Sequence, residues 1–170
     1  MFDGPVLGVD PGMAAVGMAV VGRGASRPSI GWAGTFRTPA GLGGPERLRR
    51  IHDATAQAII EHRPACLAIE RLMWGRNAPT GMDVARASGV IVLAAAQAGI
   101  AVEEYAPLEI KMAVTGVGNA GKDAVRRGLG RVLGMDGVPV DPDAADAVAV
   151  AVCHLQQERL RHLTREAAAR

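Results

Sequence analysis

The chain has 170 residues, 49% hydrophobic and 21% charged, with a formal net charge of +2, the composition of one ordinary globular domain with a core of its own. No stretch reaches the roughly 18 uncharged apolar residues of a membrane span, and Cys66 and Cys153 lie in apolar runs that fit buried thiols and no zinc pattern. A near-neutral total neither demands nor excludes a nucleic-acid partner, which needs a local basic patch rather than a large net charge.

In chain order, Val6–Asp10 is a short apolar run ending in Asp-Pro-Gly, a strand entering a tight turn. Ala14–Gly22 and Ser29–Phe36 read as two more strands about a turn at Arg23–Pro28, and the short spacings make an antiparallel meander. From Pro45 to His62, Leu48, Ile51 and Ile59 recur at helical spacing, and Pro64 stops that helix. Ala65–Glu70 (ACLAIE) is a continuous apolar run, as expected of a strand buried on both faces. A loop over 71–81 precedes an Ala-rich helix at Met82–Ala98, closed by Gly99, and Ile100–Tyr105 is a fifth strand. Pro107–Val114 and Gly121–Leu133 are short helices on either side of a Gly-rich turn. The last helix opens with Asp141 as N-cap and Pro142 at the first helical position, then runs through HLQQERLRHL into a tail expected to fray.

Three antiparallel strands followed by two reached through helical crossovers give an α/β protein with a mixed five-stranded sheet and helices on both faces. That order outlines the RNase H-like fold. One domain is expected over 1–158, with 159–170 as a helical tail. The opening MFDGPV has no basic stretch leading into an apolar run, so no export signal is expected and the chain reads as cytoplasmic.

Asp10 ends the first strand, Glu70 ends the fourth, and Asp143 and Asp146 stand three apart on the last helix, hence on one face. Strand ends beside a switch point share a crevice, so four carboxylates can converge. Such a set needs hard divalent cations to offset its repulsion, and two ions about 4 Å apart suit in-line phosphodiester hydrolysis. Taken alone, Asp10 reads first as a turn former and Asp143 equally as a helix-dipole partner. Glu70, closing a buried strand, and Asp146, beyond the first helical turn, have no such simple alternative. The set of four is the specific feature.

These motifs resemble the RuvC family of Holliday-junction resolvases over about Val6 to His154, through VLGVDPGMAAVG, AIER, YAPLEIKMAVTGVGNAGK and PDAADAVAVAVCH. The resemblance implies that Asp10, Glu70, Asp143 and Asp146 are metal-binding catalytic acids served by Mg2+ or Mn2+. It matches Lys111 and Lys122, the only lysines of the chain, to the family's two functional basic positions. It further implies symmetric paired nicking of four-way DNA junctions in recombination and repair, a homodimer, and a branch-migration motor as partner. The family's base-contacting aromatic is replaced here by Met73, followed by Trp74, which reads equally as a base-stacking residue or a plug at the core edge. With Arg76 and Asn77 these are the expected nucleic-acid contacts of the loop after Glu70. The helix at Met82–Ala98, with Ala85, Ser88 and Gly89, reads either as the dimer interface or as a cover for the sheet.

Gly116–Asp123 (GVGNAGKD) has the spacing of a phosphate-binding P-loop until Asp123 replaces the metal-holding hydroxyl. An NTPase reading fails there. An actin-like kinase built on the Asp-Pro-Gly turn would need twice the length. A junction-binding module without catalysis would need no acids, and an RNase H-like enzyme acting on RNA is the nearest nuclease alternative.

Overall fold

The computed structural model describes residues 4–73, 78–134 and 138–168. Its strands are β1 (Val6–Asp10), β2 (Ala15–Arg23), β3 (Pro28–Arg37), β4 (Cys66–Glu70) and β5 (Ala101–Tyr105). Its helices are α1 (Gly44–His62), α2 (Ala78–Gln97), α3 (Pro107–Thr115), α4 (Lys122–Leu133) and α5 (Pro142–Ala168). The sheet order is β3-β2-β1-β4-β5. The first three strands pair antiparallel, while β1–β4 and β4–β5 are parallel. The expected mixed sheet is therefore the one that forms.

Alternation along the strands divides the apolar residues between two cores. Leu7, Val9, Val16, Met18, Val20, Leu67 and Ile69 face one side, under Ile51 and Ile59 of α1 and Ala87, Ile91 and Ala95 of α2. Val6, Ala19, Val21, Cys66 and Ala68 face the other, under α3, α4 and α5. From Ala144 to Leu155 the α5 helix is buried at every position but Asp146, which explains its run of Ala and Val.

This helix approaches the sheet closely because two glycines let it. A Cβ at Gly8 would strike the Ala147 carbonyl, and one at Gly17 would strike the Asp143 carbonyl. Inside the same core His154 bridges two elements: its Nδ1 lies 3.0 Å from the Tyr105 hydroxyl and its Nε2 3.3 Å from Cys66 Sγ. Burial holds the imidazole below its ordinary pKa, so the ring is neutral there.

The start of α2 differs from the sequence reading, while α1 ends where it was expected to. α2 begins at Ala78, four residues ahead of Met82, because Pro79 falls in the first turn, where no N–H is required. α1 ends at His62, and Arg63 caps it in the left-handed region (φ 47), its N–H donated to the Ile59 carbonyl. α5 is helical to Ala168 and exposed from Arg159 onward. Among the described residues no helix is long and apolar enough to cross a membrane.

Candidate active site

Asp10 and Glu70 are set side by side by strand register. β1 and β4 run parallel through the pair Val9–Ile69, and the two acids are the next residue on each strand. Since Val9 and Ile69 point into the core under α1 and α2, alternation turns Asp10 and Glu70 toward α5. Asp10 also pairs with Gly17 of β2, whose missing side chain admits the Asp143 carbonyl. The first turn of α5 thus comes to rest beside Asp10, carrying Asp143 and, one turn on, Asp146.

The acids also influence one another electrostatically. Burial, and then the charges of Glu70, Asp146 and Asp143, push the Asp10 carboxyl up from 3.8 to about 7, against the opposing pull of Lys122. Glu70 is raised by burial and by Asp146, with Lys111 and Lys122 acting against the rise. Burial raises Asp146 as well; Lys122 opposes it, Asp143 adds to it, and Lys111 also opposes it. Lys122 Nζ stands 4.0 Å from Asp146 Oδ2. A cavity of about 340 Å³ lies between β4, α3, α4 and α5, lined by Glu70, Lys111, Lys122 and Asp146 among others. All four acids and both lysines singled out in the sequence therefore act on one region.

The helix start is built as expected and carries a feature the sequence did not reveal. Asp141 caps α5, its Oδ1 accepting the Asp143 N–H at 3.0 Å and the Thr35 hydroxyl at 2.8 Å. The Thr35 hydrogen bond, with smaller help from the Asp143 N–H and Arg37, holds the Asp141 carboxyl below the usual range. Arg37, at the end of β3, reaches Asp141 Oδ2 at 2.6 Å and Asp143 Oδ2 at 3.2 Å. Neither Thr35 nor Arg37 was a sequence candidate.

An all-oxygen set of four carboxylates has the donor chemistry of a hard divalent cation. Like-charge crowding at Asp10 is what such an ion relieves. Among the described residues no three Asp, Glu, His or Cys side chains are already gathered as a cage; the cations facing Asp143 and Asp146 are Arg37 and Lys122. The donor chemistry of the set fits such an ion.

Gly116 caps α3 with φ 75, and Gly121 is the N-cap of α4. The P-loop-like stretch follows a helix rather than a strand, the wrong setting for a phosphate loop; what it does is present Lys122 at the head of α4. Met73 is exposed, while Trp74, Arg76 and Asn77 lie outside the described residues.

The sequence model of the family described as crossover junction endodeoxyribonuclease RuvC matches residues 6–154. The crossover junction endodeoxyribonuclease RuvC of Syntrophomonas wolfei is 43% identical over 155 residues, covering 91% of this chain and 90% of its own length. That of Corynebacterium jeikeium is 40% identical over 160 residues, covering 94% and 98%. Thermus thermophilus RuvC, solved in complex with a Holliday junction substrate, superposes with a TM-score of 0.85 at 30% identity over 92% of this chain and 96% of that one. The yeast mitochondrial Holliday junction resolvase Ydc2 shares the fold (TM-score 0.72) at 11% identity, covering 94% and 81%. The architecture is the RNase H-like one.

Proposed function

The chain belongs to the RuvC family of crossover junction endodeoxyribonucleases, and from that premise we propose that it resolves four-way (Holliday) DNA junctions by paired symmetric nicks, through metal-dependent phosphodiester hydrolysis, in homologous recombination and DNA repair. The observation that carries this reading is the convergence of Asp10, Glu70 and Asp146 from β1, β4 and α5, with Lys111 and Lys122 opposing their charge.

We assign Asp10, Glu70, Asp143 and Asp146 as the residues that hold Mg2+ or Mn2+, two ions per site. When bound, the ions supply neutralisation of the charge that builds on the scissile phosphate. The chain's own contribution is positional. Strand register and the α5 cap bring the four acids to one face of the sheet, which supports a shared site for them. Lys111 and Lys122, on adjoining helices, offer compact ammonium charges to phosphate oxygens, where a planar guanidinium fits less well.

Nucleic-acid contacts are assigned to Met73, Trp74, Arg76 and Asn77, which follow Glu70 directly, together with Lys111 and Lys122. The homodimer is assigned to α2. Its inner face packs on α1 and the sheet through Ala87, Ile91 and Ala95, while Met82, Gly89 and Leu93 remain exposed along the outer side at heptad-like spacing. A two-fold protein suits a pseudo-two-fold substrate. Residues 1–158 form the nuclease domain in this reading, with 159–170 an appended tail, acting in the cytoplasm alongside a branch-migration motor.

The test is cleavage of a synthetic four-way junction with and without Mg2+ or Mn2+, mapping the nicks, with plain duplex and an RNA–DNA hybrid as controls. Symmetric, metal-dependent nicks confined to the junction are expected. Cutting of the hybrid in preference to the junction overturns the reading.

A further inference from the structure

Arg37 has no part in the assignments above, yet it contacts one of the four acids directly. Its guanidinium forks between two carboxylates of the α5 start, 2.6 Å from Asp141 and 3.2 Å from Asp143. The two partners are not equivalent. Asp141 is committed to the fold, since its other oxygen accepts the Thr35 hydroxyl and the Asp143 N–H. Asp143 makes no such capping bond with its side chain; among the described residues Arg37 is its ion-pair partner. A guanidinium stays protonated at any working pH, so this positive charge cannot be titrated away. A divalent cation approaching Asp143 therefore meets a permanent cation already on the same carboxylate.

We propose that Arg37 is the resident counter-ion of Asp143 and is exchanged for metal. The longer contact to Asp143 opens as the ion enters, and the shorter contact to Asp141 keeps the guanidinium at the rim. Arg37 is in this sense a positioning residue. It neutralises Asp143 while the site holds no metal, limiting repulsion among the acids, and it weakens metal binding at that one ligand. The inference rests on the assignment of Asp143 as a ligand made under the proposed function.

The experiment is calorimetric titration of Mn2+ into the full chain without DNA, for wild type, R37A, R37Q, R37K and D143N, and for the double variants R37A/D143N and R37Q/D143N. Removing an exposed ion pair that competes with the ligand should tighten Mn2+ binding roughly two- to fivefold in R37A and R37Q. R37K, which keeps a charge, should stay nearer wild type. In the D143N background neither Arg37 substitution should matter, because the competition has lost its object. A purely structural role predicts the opposite sign, since a disordered α5 start would weaken binding. If D143N leaves Mn2+ affinity unchanged, the ligand assignment itself fails. If D143N weakens binding while R37A and R37Q, folded by circular dichroism, bind no tighter than wild type, the exchange alone is overturned.

Discussion

Asp10→Asn should make the metal-free protein more stable while abolishing its nuclease activity. Burial and three neighbouring carboxylates raise the Asp10 carboxyl from 3.8 to about 7, which corresponds to about 4 kcal/mol against the ionised form in the folded state. Part of that is shared with Glu70 and Asp146, so the gain on substituting the near-isosteric amide is set at about 2–3 kcal/mol, or roughly 5–10 °C in Tm for a chain of this size. The sign follows from proton counting. Between about pH 4 and about pH 7 the folded carboxyl keeps a proton that the unfolded one has released, so wild-type stability falls as pH rises through that window. The advantage of the variant is accordingly absent below about pH 4 and complete above about pH 7. Thermal unfolding in a chelating buffer across that range measures it, with junction nicking in Mg2+ assayed in parallel. A stability difference that does not change with pH, or a wild type that is the more stable at about pH 8, refutes the crowding of charge on which the site rests.

Glu70→Gln and Asp146→Asn should each slow junction nicking by at least about 100-fold while junction affinity, read by gel shift, stays close to wild type; a variant that cuts at near the wild-type rate removes that residue from the ligand set. Lys111→Ala and Lys122→Ala should lower the single-turnover cleavage rate by roughly 10-fold or more with a smaller change in Kd, whereas equal losses would mean plain phosphate anchoring. Gly17→Ala drives a methyl group into the Asp143 carbonyl; it should cost about 1–3 kcal/mol in denaturant unfolding and reduce nicking as well, because the turn it displaces carries Asp143. Tyr105→Phe leaves His154 Nδ1, now 3.0 Å from the Tyr105 hydroxyl, without its buried partner, for an expected loss of about 1–3 kcal/mol with cleavage unchanged in folded protein.

Much of this was written locally in the chain. Each strand is a run whose alternation or continuous apolarity has no other use, and an acid closing ACLAIE announces itself because a buried strand does not end in a charge without cause. Lys111 and Lys122 stood out because every other cation of this kind is arginine. The start of α2 was obscured by Pro79 and Gly81, which read as breakers although a first-turn proline is compatible with a helix. Arg37 was hidden for a different reason. Its partners lie 104 and 106 residues away, and one arginine at a strand end among many carries no local signal. Only tertiary assembly could reveal that contact.

The site is inseparable from the register of the sheet. The alternation that sends Val9 and Ile69 into the core under α1 and α2 sends Asp10 and Glu70 to the other face. A slip of one residue in either strand would bury a carboxylate among leucines and isoleucines and lose the pocket at once. On that other face the acids still need α5 to come close enough to add its own, and the bare backbones of Gly8 and Gly17 are what allow it. Selection for a tightly seated, Ala- and Val-rich α5 is thus also selection for where Asp143 and Asp146 stand. This predicts that core substitutions under the first two turns of α5 will alter metal affinity before they unfold the protein. Ala147→Val should do so: Ala147 is fully buried and its carbonyl lies against Gly8. Weaker Mn2+ binding in a variant that still unfolds cooperatively is the expected result, and unaltered affinity in a clearly destabilised variant would show that packing and site are independent after all.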